Sequence, residues 1–470
     1  MGNTAPSISK ETRGLTGSFC ARIAFEAAAW SMLLTEYTQT FIAETAVMIS
    51  QICVYKLAAR FLGKEGFSEY AVARRTIALI YPIALLGLTV GLPRFIAHNK
   101  NKTALSDSEG HFGAALWCVL GTTGTVFGIA NLLPARVAVL FFGSSEFASL
   151  VFPLSVMVAG LTLHTVTYAY FRGHLAMKRA NTLQVVNLAL LPPLVFMVQR
   201  GNVRTILLAL GTLTFLSAGA AVVGFTPWQE MMAVQGRRVK ELLRYGMQRL
   251  PGDMALLGLF TLPTTITAHA KGVQQAGLVA FGMLILSIVS AMVTPLGLIL
   301  LPKASRMFAT GASSELREHV LPLVKVMVFL TGSISIAVGI LATSLIRIYL
   351  GPGFATAADV LRLVVLGIVP YCLFLLLSNV LDAYHRNSVT AAIEIIAFVV
   401  ACLGCCVTWF TGRTVTGFLL AFLGAVFTLA ILSTIACLRI FRDEIAPPEN
   451  AGTGVATIGS VVREQSLHAD

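Results

Sequence analysis

The sequence predicts an all-α integral membrane protein, with about twelve transmembrane helices in two pseudo-symmetric six-helix lobes around a central cavity. Three observations predict it. The chain is 56% hydrophobic and only 12% charged, with a mean hydropathy of +0.80; an average soluble domain carries roughly 25% charge. Its apolar residues are gathered into long unbroken runs, each of a length that crosses a bilayer. The runs of the second half echo those of the first.

The spanning runs lie near 38–60, 72–95, 112–133, 149–171, 181–199 and 204–225, then near 251–269, 276–301, 318–340, 357–381, 388–411 and 414–438. Stretches such as "AFLGAVFTLAILSTIACL" are continuously apolar rather than alternating. That excludes a closed β-barrel, the other way of satisfying a backbone in lipid. Ahead of the runs, residues 1–37 form a polar, amphipathic extension. Its segment "CARIAFEAAAWSMLLTE" is interrupted by Arg22, Glu26 and Glu36 and is expected to lie on the surface. No cleavable apolar segment opens the chain, and "MGNTAPS" has Pro6 where myristoylation requires Ser or Thr. The longest internal loop, 226–250, is a cytoplasmic linker between a first lobe at 38–225 and a second at 251–440. Residues 441–470 are rich in Pro, Gly and Ser and are expected to be a disordered tail.

The formal net charge is +12. No nucleic-acid motif accompanies it, and the loops are too short to build a basic face outside the bilayer. The charge is therefore juxtamembrane, fixing orientation and attracting membrane lipid. With a cytoplasmic amino terminus and alternating spans, the cytoplasmic side collects roughly twice as many Lys and Arg as the other. Both termini are thus expected in the cytoplasm of a bacterial inner membrane.

The internal echo is specific. "FGSSEFASLVFPLSVMVAGL" at 142–161 matches "LGPGFATAADVLRLVVLGI" at 350–368, with Phe147 on Phe354, Gly160 on Gly367 and Arg179 on Arg386, each 207 positions apart. "LGLTVGLPR", ending at Arg94, matches "LGLILLPK", ending at Lys303. An interval of six helices preserves orientation, so the repeats are parallel, as in transporters.

Charges inside spans are costly and usually face a cavity. Lys56 and Arg60 share a helix face. Arg249 and Asp253 stand one turn apart, as do Asp359 and Arg362. Glu44 and Glu394 are carboxyls that burial would favour in protonated form. With Asp253 they are the candidates for coupling to a proton or sodium gradient or to the membrane potential. His164 is read first as an interhelical hydrogen-bonder. Pro263 and Pro295, near the start of the second half, are the candidate hinges. There is no nucleophile elbow, Walker loop, zinc motif or acidic cluster, so no catalytic or metal residue and no cofactor is expected.

The quoted segments resemble a known group. "FLGKEGFSEYAVARR" followed by "LLGLTVGLPRFIA" resembles the first two helices of the polysaccharide flippases of the multidrug/oligosaccharidyl-lipid/polysaccharide exporter superfamily. "YFRGHLAMKRANTLQVVNL" is similar to their fourth-to-fifth junction. "LLRYGMQRLPGDMALLGLFTLP" and "AGLVAFGMLILSIVSAMVTPLGLILLPKAS" resemble their seventh and eighth helices. The resemblance covers about residues 38 to 440. It implies a membrane transporter that moves a lipid-linked oligosaccharide or polysaccharide precursor to the outer leaflet by alternating access, together with other polysaccharide-assembly proteins. Such a cargo carries a diphosphate. Lys56, Arg60, Arg74 and Arg75, with Arg249, are then the expected cationic lining, the first four forming one mouth. A cation-coupled multidrug antiporter of the same superfamily is the alternative. A membrane glycan polymerase or ligase, or a non-transporting scaffold, is a weaker one.

Overall fold

The computed structural model describes residues 11–99, 111–309, 313–384 and 389–443, with the backbone alone for 11–37. Most of the tail expected at 441–470 lies outside the described residues. The fold is all-helical. Its α-helices are α1 (Glu11–Leu85), α2 (Leu88–Asn99), α3 (His111–Leu132), α4 (Pro134–Phe142), α5 (Val151–Gly173), α6 (Met177–Gln184), α7 (Leu191–Val198), α8 (Val203–Phe225) and α9 (Trp228–Met232). They continue with α10 (Gly236–Lys271), α11 (Val273–Ala291), α12 (Thr294–Ala309), α13 (Ser313–Tyr349), α14 (Ala357–Val364), α15 (Ile368–Tyr384), α16 (Val389–Thr411) and α17 (Val415–Asp443). Among the described residues, ten helices are long and apolar enough to cross a membrane. Their outward faces carry bare apolar side chains, including Phe329, Ile340 and Phe410, as lipid contact requires.

Two features separate this fold from the sequence expectation. The described part of the expected extension, from Glu11 onward, is helical and runs into the first span without a break. The second arm of the first hairpin begins at Lys64 rather than near 72. Gly63 takes φ 66° and ψ −168° and reverses the chain within α1. Glycine alone adopts that conformation without penalty.

Backbone breaks recur in the same order in both halves. Gly63 corresponds to Gly272 (φ 82°), which separates α10 from α11. The turn at Leu86–Gly87, between α1 and α2, corresponds to the turn at Met292–Val293, between α11 and α12. Gly143 corresponds to Gly351, each with positive φ and each followed by a short 3-10 turn. Pro295 stands at the start of α12, directly after the second of these turns, whereas Pro263 is inside α10.

Between α6 and α7, residues Val185–Leu190 form a π-helical turn, with the Leu191 amide donating to Val186 O. Pro192 and Pro193 supply the reason. Neither has an N–H to continue the i→i−4 ladder, so the carbonyls before them are released.

Backbones approach closely where small residues meet. A methyl group on Gly160 would lie 2.5 Å from Gly211 O, and one on Gly211 would lie 2.6 Å from Met157 N. Helix association in lipid depends on such contacts, since lipid tails are as apolar as leucine. Gly211→Val is expected to force α5 and α8 apart and cost about 3 kcal/mol. Thermal unfolding in detergent checks this, and a wild-type transition would contradict it.

Candidate functional site

The residues with the most chemistry are two neighbours on the second arm of α1. Eleven residues at 1.5 Å each put Arg74 about 16 Å beyond the Gly63 turn, midway along the second arm, which ends at Leu85. Successive helix positions diverge by about 100°, so the two guanidinium groups enter different spaces.

Arg75 points at the second half of the molecule. Its guanidinium lies 6.0 Å from the centroid of Phe260 on α10. Phe260 in turn packs on Tyr371 of α15 at 4.7 Å. Arg75 also interacts electrostatically with Tyr55, Tyr371 and Arg74. Arg74 points into the first half, where it lines a cavity of about 200 Å³ with Ser50, Gln51, Tyr55, Tyr70 and Asn187 among its neighbours. Tyr55 stacks edge-on against Tyr70, and Tyr70 against Phe196. Neither arginine has a carboxylate partner among the described residues.

The four-residue cationic mouth is not assembled. Lys56 is exposed; its ammonium donates to Ile348 O at 3.1 Å and lies 5.7 Å from the Tyr349 ring. Arg60 is exposed beside Phe61. The physical reason is the one-residue turn at Gly63. It carries Arg74 and Arg75 deep along the second arm, while Lys56 and Arg60 stay on a different face of the first. The Arg249 side chain lies outside the described residues, and so does that of Pro295.

The three acidic candidates are also spread out. Glu44 is exposed, on the first arm of α1. Glu394 is buried on α16, and a methyl group on Gly252 would lie 2.7 Å from its Oε2. Asp253 follows on α10, so Asp253 and Glu394 belong to the α10–α16 contact and Glu44 to the other half. Arg362 forms the local pair expected of it, 2.8 Å from Asp359 Oδ1. His164 faces Asn187 Nδ2 at 3.1 Å, joining α5 to the π turn. No group of three or more His, Cys, Asp or Glu among the described residues is placed to hold a metal.

The sequence reading missed Tyr55, Tyr70, Tyr81, Ser50 and Asn187. One signal was available. Tyr70, Arg74, Ile77 and Tyr81 recur at helical spacing and fall on one face. Nothing in the sequence signalled Asn187, whose direction depends on the π turn.

The two halves meet closely at both ends of the bundle. Near Gly63, Ser68 Oγ donates to Gln274 O at 3.2 Å and Gln274 Nε2 donates to Glu65 Oε1 at 3.3 Å. A methyl group on Gly277 there would sit 2.6 Å from Ser68 Oγ. The Tyr349 hydroxyl donates to Ile52 O, further along the first arm of α1. At the opposite end, Gly246 of α10 presses its backbone on Leu86 and Gly87, and a methyl group on Gly87 would lie 2.9 Å from Gly246 O.

Comparison with known proteins fits this arrangement. The family described as polysaccharide biosynthesis protein matches residues 33–308. No curated protein matches the chain in sequence. Among solved structures, an inward-facing multidrug resistance MATE family transporter of the MOP superfamily aligns with TM-score 0.70 and 11% identity, covering 85% of this chain and 95% of that one. The lipid II flippase MurJ, in an inward closed conformation, aligns with TM-score 0.67 and 12% identity, covering 88% and 91%. A MOP superfamily transporter from Pyrococcus furiosus Vc1, described as having a binding pocket of reverse polarity, aligns with TM-score 0.63 and 11% identity, covering 87% and 95%. With a family match over more than half its length, the chain belongs to the polysaccharide biosynthesis protein family, and it is a multi-pass membrane protein with the fold of these transporters.

Proposed function

We propose that the protein is a flippase that carries a lipid-linked oligosaccharide or polysaccharide precursor from the cytoplasmic to the outer leaflet of a bacterial inner membrane, by alternating access. The observation that carries this reading is the pair Arg74–Arg75, midway along the second arm of α1, facing one half each and without a carboxylate partner among the described residues. A diphosphate cannot enter hydrocarbon unaided. Guanidinium groups offset that cost with planar, charge-assisted hydrogen bonds. Unpaired positive charge repels a cationic drug, which argues against the multidrug antiporter. The acyl tail stays in lipid between the halves while the head group crosses.

In this reading Thr38–Leu85 makes two crossings around Gly63, and Gly236–Lys271 makes one, which raises the ten helices to the expected twelve. Both termini are cytoplasmic. Glu394 is the one fully buried carboxylate among the described residues and is the first candidate for a coupling proton, with Asp253 beside it and Glu44 as the candidate in the other half. Lys56 and Arg60 contribute at the periphery, and Arg249 is a further candidate for the cationic lining. Pro263 and the Pro295 turn supply the bends.

Reconstitution into liposomes tests the reading. A polyprenyl diphosphate oligosaccharide placed in one leaflet is expected to become accessible to a glycosidase on the other side only when the protein is present. Transport of ethidium without movement of the glycolipid would replace this reading with the antiporter.

A further inference from the structure

The cavity beside Arg74 is distinct from the space that Arg75 enters. We infer that it is a subsite for one sugar ring of the cargo, a pyranose with free hydroxyl groups. The inference rests on the transport reading above and assigns this pocket within it.

Three observations determine the chemistry. The first is the inventory of polar atoms. Asn187 is 1% exposed and Ser50 4% exposed. Asn187 Oδ1 and Ser50 Oγ are buried without a protein hydrogen-bond partner, and both residues line the cavity, so a side-chain rotation brings either oxygen to its surface. A buried polar atom left unpaired costs about 1–3 kcal/mol, so the ligand supplies partners. Asn187 Nδ2 already faces His164 Nδ1. With Nδ2 held there, the group of Asn187 left to turn toward the cavity is its acceptor oxygen, and a bare anion beside that oxygen would be repelled. The Arg74 guanidinium, in contrast, offers only donors. A ligand satisfying both must donate and accept within a few ångströms, as adjacent hydroxyls on a sugar ring do.

The second observation is the aromatic lining. Tyr55, Tyr70 and Tyr81 contribute to the wall. A pyranose has an apolar C–H face and a polar rim, which suits a wall of rings ending in hydroxyls. The third is size and position. The cavity, about 200 Å³, falls below the roughly 300–1,000 Å³ that holds a drug-sized ligand. It has room for one ring, not for a chain of them. Tyr55 lines the cavity and also neighbours Arg75. The ring is therefore the sugar joined directly to the diphosphate, with the phosphates at Arg75. The rest of the glycan extends away from the cavity.

The test uses full-length protein in detergent and native mass spectrometry. The probes are polyprenyl diphosphate, bare or carrying a single glucose, galactose or N-acetylglucosamine. Wild-type protein is expected to bind at least one glycosylated probe about tenfold more tightly than the bare lipid. Asn187→Leu and Ser50→Val are expected to bring that ratio near one while leaving bare-lipid binding unchanged. Arg75→Gln is expected to weaken both probes and preserve the ratio. Melting temperatures show which variants fold; Ser50→Val, which leaves the Asn187–His164 contact in place, serves if Asn187→Leu does not. A wild-type ratio near one for all three sugars overturns the subsite while leaving transport intact. So does a ratio preserved in the variants, or equal weakening of both probes. If wild-type protein binds none of the lipids, the transport reading itself fails, and the subsite with it.

Discussion

Replacing both Arg74 and Arg75 with glutamine is expected to abolish glycan export while leaving the protein inserted and folded. The charge-assisted hydrogen bonds of Arg75 to phosphate and of Arg74 to the adjoining polar head group contribute about 1.5–3 kcal/mol each. Losing two weakens head-group binding by about 3 kcal/mol or more, a factor of a hundred and upward. The alternative is a purely structural role, in which the arginines only complete the packing against Phe260 and Tyr55. Arg75→Lys separates the two. Lysine keeps the charge and reaches a similar depth but lacks the planar fork, so export is expected to fall to an intermediate level while thermal stability is kept. Lys56→Gln and Arg60→Gln are expected to change export only a few-fold, because these side chains are exposed and turned away from the pair. Export per inserted protein in cells lacking the native copy is the measurement. Normal export by the double glutamine variant would remove the arginine pair from the mechanism.

The second large effect is expected at the two glycine contacts that hold the halves together. At the Gly63 end, a side chain on Gly277 collides with the backbone and Cβ of Ser68. At the Leu86 end, a side chain on Gly246 collides with Leu86 O. Neither obstacle is the movable tip of a long side chain, so the helices themselves must separate. Gly277→Val therefore opens the Gly63 end and Gly246→Val the Leu86 end. An alternating-access transporter must close each end in turn, so both variants are expected to lose transport, by opposite routes. Cysteines introduced beside each contact report this through maleimide labelling. Gly277→Val is expected to raise labelling near Ser68 and Gly246→Val near Leu86, with little change at the other end. Equal labelling at both ends in both variants would mean that the glycines support packing and do not gate. Gln274→Ala removes only a side-chain hydrogen bond to Glu65 and is expected to loosen the Gly63 end without blocking the cycle.

The sequence by itself determined the class of the protein. A mean hydropathy of +0.80, twelve apolar runs and an echo between halves follow from composition and order, and lipid permits few backbone arrangements for such a chain. It also located the in-span charges, because a charged residue in an apolar run is visible wherever the run folds. The tertiary structure decided which of those charges meet. Gly63 reverses the chain in one residue, a choice open to any glycine but required of none. That turn set Arg74 and Arg75 midway along the second arm and left Lys56 and Arg60 exposed on the first. The cavity beside Arg74 draws on residues from α1, the π turn and α8, which are far apart in sequence. Helical periodicity marks which face a residue occupies, but not which neighbour that face will meet. That depends on the packing of glycines such as Gly211 and Gly277 against other backbones, an interaction between distant segments that no local pattern encodes.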